Sequence, residues 1–143
     1  MNKLIVLLFA VVFVACGSGA TNENTSISGR STRQNVEKLN GRALFKKHCV
    51  ACHQADGAGI EKVFPPLKNS DFLMENPKRA IHNILKGMRG EIVVNGATYN
   101  GIMAPLRLKD KEIVAVVNYV LKDLNNSDIR ITEADVKEIR NQP

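Results

Sequence analysis

The 143-residue chain contains no tryptophan, two tyrosines and five phenylalanines, and two of those phenylalanines, Phe9 and Phe13, sit at its very start. So lean an aromatic supply leaves a domain of about one hundred residues short of large apolar bodies for its core. A large apolar group bound inside the fold would make good the shortage, and the fold would then depend on it. Basic runs interleaved with aromatics are also missing, which argues against nucleic-acid binding. No stretch, the apolar run Leu4–Val14 included, is long enough to suggest a membrane span. No internal repeat is visible. The formal charge is a modest +6. That balance suits steering toward an acidic partner face or anionic lipid, and it equally suits an ordinary solvated surface.

What is present centres on Cys49-Val50-Ala51-Cys52-His53. The pattern C-x-x-C-H is the attachment signature of c-type haem. On one helical turn the two thiols, at i and i+3, point to the same side, where each can add across a haem vinyl group. His53, at i+4 from Cys49, then presents its imidazole to the iron. A redox C-x-x-C pair would be expected near a βαβ pattern, and none follows. A structural zinc site needs four ligands, and no second Cys/His pair with suitable spacing lies downstream. A disulfide between Cys49 and Cys52 is the remaining rival. A buried porphyrin would supply the large apolar body that the composition lacks.

Residues 1–15 read as a secretory signal: Lys3 precedes the apolar run Leu4–Val14, which is too short for a membrane span. Phe13-Val14-Ala15-Cys16-Gly17-Ser18 resembles a bacterial lipobox, with Phe13 where leucine is usual. That resemblance implies a lipid-anchored Cys16 as the mature N-terminus. The alternative is cleavage near Ala15 with Cys16 left as an odd thiol. Two or three acyl chains would anchor stably where one would not. The three cysteines then divide into one anchor and two thioethers, and export fits a haem that is attached outside the bacterial cytoplasm. Loss of residues 1–15 removes Lys3 and no acid, leaving +5 before haem propionates are counted. Residues 16–35 are polar and lack apolar periodicity, a flexible tether with a typical span of about 25 Å.

Residues 36–143 read as the folded domain. A first helix is expected from Val36 to about Val50 with Asn35 as N-cap, Leu39 on its apolar side and Gly41 marking a close helix approach. Gln54–Gly59 is a loop, and Val63-Phe64-Pro65-Pro66-Leu67 is extended. A short helix is expected from Pro77 to Lys86, ended by Gly87. A hairpin is expected over Glu91–Tyr99 around Asn95-Gly96. A long helix from Lys109 to Leu124 carries the stripe Ile113, Val117, Val120, Leu121, Leu124. A last helix, Glu133–Arg140, is capped by Thr132 with Asp135 completing a capping box. The fold class is mainly α with one minor hairpin.

In this order the parts resemble the class I cytochrome c family, single-haem electron carriers and the matching domains of respiratory enzymes. Gly41 and Phe45 are similar to the glycine/aromatic pair of that family's N-terminal helix, and Tyr119 to the aromatic of the C-terminal helix that packs across it. The implied fold crosses these two helices around one covalent haem c, with a C-terminal extension. Pro65-Pro66-Leu67 resembles the segment whose proline carbonyl accepts a hydrogen bond from the proximal histidine, which assigns the acceptor to Pro65 or, failing that, Pro66. The axial methionine implied by the resemblance is Met103, in Tyr99-Asn100-Gly101-Ile102-Met103-Ala104-Pro105, where Ala104 separates it from the proline that usually follows. Met74 and Met88 read as core or surface methionines, and His82 and His48 as surface histidines.

The implied function is a non-enzymatic electron carrier with His53/Met103 ligation, anchored through Cys16 at the periplasmic face of a bacterial membrane. Expected partners are redox proteins, such as a terminal oxidase, a reductase or a quinol-oxidising complex, with the lipid membrane as anchor and neither nucleic acid nor a small-molecule substrate. Lys46, Lys47, Lys68 and Arg107 are candidates for steering a partner to the haem edge. The rival is a haem-c enzyme or gas sensor in which Met103 is absent from the iron or easily displaced.

Overall fold

The structure is a computed structural model that describes residues 39–143. The expected signal (1–15), Cys16, the tether to residue 35 and the expected cap Asn35 lie outside the described residues.

Helix α1 (Gly41–His48) begins later than the apolar spacing of Val36 and Leu39 implies. The cause is local: the Asn40 side chain accepts from Ala43 N–H at 3.1 Å, capping the helix there and leaving Leu39 exposed before it. The helix breaks at Cys49, whose φ of −118° departs from helical geometry, and resumes as the single turn α2 (Val50–His53). The turn still holds the motif together, because Cys52 and His53 N–H both donate to the Cys49 carbonyl, at 3.2 and 2.9 Å. An unforeseen short helix, α3 (Asp71–Glu75), is capped by Ser70. Helix α4 (Lys78–Lys86) starts after Pro77 and stops at Gly87, whose φ of 77° suits glycine.

Strands β1 (Met88–Val94) and β2 (Ala97–Met103) form the hairpin, longer at its open end than the sequence suggests. Asn95 and Gly96 at its turn have φ of 51° and 78°, the two positive angles a tight hairpin turn needs. Asp71 and Asn95 exchange hydrogen bonds, each side chain accepting from the other's backbone N–H at 2.8 and 3.0 Å, so α3 grips the hairpin tip. The register sets Met88 opposite Met103, Gly90 opposite Gly101, Ile92 opposite Tyr99 and Val94 opposite Ala97. Side chains alternate, so these pairs share one face of the sheet. Val94 and Tyr99 on that face are buried, while Glu91, Asn100 and Ile102 on the other are exposed.

Helix α5 (Asp110–Tyr119) opens with the Glu112 carboxylate accepting from Lys109 N–H at 2.8 Å and runs on as a π-turn (Val120–Leu124). Helix α6 (Glu133–Arg140) carries the Thr132/Asp135 capping box. The core gathers Phe45, Ile81, Ile113, Val117, Leu121, Val136 and Ile139, so the residues after 124 complete it from the outside. Helix α1 crosses α5 at Gly41, where a Cβ would collide with the Ala115 carbonyl and stand 2.8 Å from Tyr119 Cβ. Phe45 then meets Tyr119 with ring centroids 5.4 Å apart, tilted by 51°. No described helix is long and apolar enough to cross a membrane.

Candidate functional site

The haem-attachment motif opens onto a crevice between α2, the proline segment, the hairpin's apolar face and α5. Two adjoining hollows, with roughly 670 and 950 Å³ of space open toward solvent, share Cys49, His53, Pro65, Met88, Ile92 and Met103 on their walls. The deeper part is closed by Leu67, Phe72, Leu73, Ile84, Val116 and Val120. The mouth carries His48, Cys52, Val63, Phe64 and Ile102.

His53 is fixed by a short loop. The Gly59 N–H donates to the His53 carbonyl at 3.0 Å, and any side chain at Gly59, whose φ is 70°, would meet the Pro65 carbonyl oxygen 2.8 Å away. That closeness folds the chain back so that His53 Nδ1 lies 2.9 Å from the Pro65 carbonyl oxygen. A carbonyl oxygen can only accept, so Nδ1 carries the proton and Nε2 keeps the lone pair. Burial lowers the imidazole pKa below its ordinary value, and the Pro65 bond only partly offsets this. The ring is therefore neutral, as a metal ligand must be.

Cys49 is half-buried and Cys52 exposed, and no disulfide joins them. Burial, with repulsion from Cys52 behind it, pushes the Cys49 thiol up to about 11. A redox-active C-x-x-C pair needs the reverse shift, because the thiolate is its nucleophile.

Met103 ends β2 instead of sitting in a loop, which places it by strand register and relieves the sequence departure at Ala104 of any role in aiming it. Met88 lines the crevice beside it, contrary to the expectation of a core or surface residue. His48, expected as a surface histidine, also lines the mouth. His82 is exposed on α4, and Met74 packs against the core. Lys46, Lys47, Lys68 and Arg107 are exposed, but none lines the crevice, whose mouth is instead flanked by the exposed apolar Val63 and Ile102.

Residues 39–123, more than half of the chain, match the family described as Cytochrome c. The chain belongs to the cytochrome c family. It is 42% identical over 83 residues to a cytochrome c-552 of Thermus thermophilus, covering 54% of this chain and 63% of that protein. It is also 27% identical to the fructose dehydrogenase cytochrome subunit of Gluconobacter japonicus, across 86% of this chain and 29% of that subunit. With the quinone alcohol dehydrogenase cytochrome c subunit of Gluconobacter oxydans it shares 24% identity, over 70% and 22% of the two chains. The chain thus spans about three fifths of the length of the Thermus relative and less than a third of the dehydrogenase subunits.

As a class I, single-haem member of the cytochrome c family, the protein carries covalently bound haem c. The residues present fit that group. A neutral imidazole with its Nε2 lone pair, two thiols one turn apart and two thioethers surround a crevice whose remaining walls are mainly apolar.

Proposed function

We propose that this cytochrome c is a His/Met-ligated electron carrier exported to the periplasmic face of a bacterial membrane and tethered there through Cys16. In this reading Cys49 and Cys52 form the thioethers, His53 Nε2 is the proximal ligand and Met103 Sδ the distal one. When bound, the haem iron supplies one-electron chemistry between its ferric and ferrous states. The chain's task is to hold both axial ligands still, to exclude water and to leave one edge accessible. Pro65 does the first for His53, keeping the Nδ1 proton in place and making the ligand more electron-rich. The neutral, soft thioether of Met103 suits iron(II) and raises the potential relative to two histidines. The apolar walls from Leu67 to Val120 keep water away.

The observation that carries the reading is the Nδ1–Pro65 bond of His53 in the same crevice that Met103 lines. A redox protein is the partner, of the kind represented by a dehydrogenase, a terminal oxidase, a reductase or a quinol-oxidising complex. It docks transiently where Val63 and Ile102 flank the mouth, through a small interface suited to turnover.

The test is Met103→His in the holoprotein. Imidazole outcompetes thioether for the iron, so the weak far-red band of ferric iron bound to sulfur should vanish and the potential should fall. A variant that keeps both band and potential would remove Met103 from the iron. Radiolabelled palmitate incorporation that Cys16→Ser abolishes tests the anchor.

A further inference from the structure

The crevice holds two methionines where His/Met ligation uses one. Met88 and Met103 are direct partners in the hairpin register and point from the same face of the sheet. Their Cα atoms are therefore about 5 Å apart, and both residues line both hollows together with His53. Each has three rotatable side-chain bonds, so the two sulfurs sweep overlapping volumes. Met88 is moreover fixed by a polar contact. The amide of Asn83, itself on the crevice wall, donates to Met88 Sδ at 3.5 Å. A methionine that served only as apolar packing would need no donor at its sulfur.

From this pairing we infer that Met88 is a second thioether ligand for the haem iron, exchanging with Met103 at the sixth position. The inference rests on the His53/Met103 reading and extends it. Asn83 holds the Met88 sulfur when Met103 occupies the iron. Were the Met103 sulfur to leave, Met88 would be the residue able to rotate off Asn83 and offer its lone pair in turn, with no change in oxidation state. The sixth position therefore stays closed to small ligands, which keeps the site an electron carrier and denies it the chemistry of an open haem.

Three holoproteins test it: Met88→Leu, Met103→Leu and the double variant, each substitution conserving volume. The readouts are the ferric far-red band and carbon monoxide binding to the ferrous form. Met88→Leu should keep the band. Met103→Leu should also keep it and resist carbon monoxide, whereas the double variant should lose the band and bind the gas. A Met103→Leu protein that already behaves as the double variant overturns the exchange while leaving His53/Met103 ligation intact. Loss of the band in Met88→Leu alone would instead overturn Met103 as the ligand, and the exchange with it. Should Met103→Leu fail to yield folded holoprotein, methyl carbon–proton spectra of the ferrous wild type decide. The Met88 methyl must then show a ring-current displacement from its position over the porphyrin, and an unshifted Met88 methyl overturns the proposal.

Discussion

Gly41 lies against the backbone carbonyl of Ala115 with no room between them for one methyl group. The contact sets how closely α1 and α5 approach, and through Phe45 and Tyr119 it sets the aromatic pair one turn on. Gly41→Ala should therefore destabilise the protein by about 1–3 kcal/mol, the usual cost of overpacking, even though alanine is the better helix former. Chemical denaturation of the holoprotein measures it, and a variant as stable as wild type would mean that the helices separate without cost.

Asn125 ties the end of the π-turn to the proline segment. Its amide donates to the Leu67 and Val120 carbonyls at 2.8 Å each, and its oxygen accepts from Ser70 N–H at 2.9 Å. Asn125→Ala strips partners from part-buried backbone groups and should cost about 2–3 kcal/mol. Because Leu67 lines the crevice, hydrogen exchange should quicken at Leu67–Ser70 before it does in α1. Uniform quickening would contradict the local role.

Asp135 accepts hydrogen bonds from Thr132, while Lys78 sits 2.9 Å away, and together they depress its pKa to about 2 from an ordinary 3.8. Since the folded value is the lower one, the stabilisation is fully present above about pH 4 and is lost as pH falls toward 2. Solvent screens this exposed pair, so the effect is modest. Amide shifts of α6 followed through that window should report loosening of the last helix, and Asp135→Asn should flatten the profile.

In a haem-free chain that keeps this fold, the Cys49 thiol, held near 11, should alkylate slowly at pH 8 and accelerate with rising pH as the thiolate forms. Cys52 is exposed and should be labelled first. Mass analysis of peptides after brief iodoacetamide treatment gives the order, and faster labelling at Cys49 would show that burial does not govern it.

Val63 and Ile102, 52% and 75% exposed, make the crevice mouth apolar. Electron self-exchange between two copies should therefore depend only weakly on salt, and Val63→Ser with Ile102→Ser should slow it severalfold. Line broadening in mixtures of the two oxidation states measures the rate. A steep salt slope unaffected by these substitutions would return docking to the lysines.

The motif at Cys49–His53, the turn at Asn95-Gly96, the stop at Gly87 and the Thr132/Asp135 box could be read from sequence because each acts within a few residues. The start of α1 was misplaced because apolar spacing before Asn40 imitates a helix that the Asn40 cap in fact begins. The hairpin looked short because Gly90 and Gly101 interrupt its apolar pattern, although they face each other in register. That error left Met103 in a loop and hid Met88, whose alternation with Ile92 and Val94 was the available signal. Asn125 gave no signal, since its partners Leu67 and Ser70 lie 58 and 55 residues away.

The family match ends at residue 123, yet the next seventeen residues are tied to what precedes them. The Asn118 side chain takes both the N–H and the carbonyl of Ile131, at 2.8 and 2.9 Å, standing in for a strand neighbour. Arg140 closes the far end on Asp110 and the Leu108 carbonyl. Ile131, Val136 and Ile139 sit in the common core. The smallest autonomous piece of this polypeptide therefore outruns its family boundary by two turns of helix and a clasp, and trimming it at residue 123 would leave an oily scar on α4 and α5.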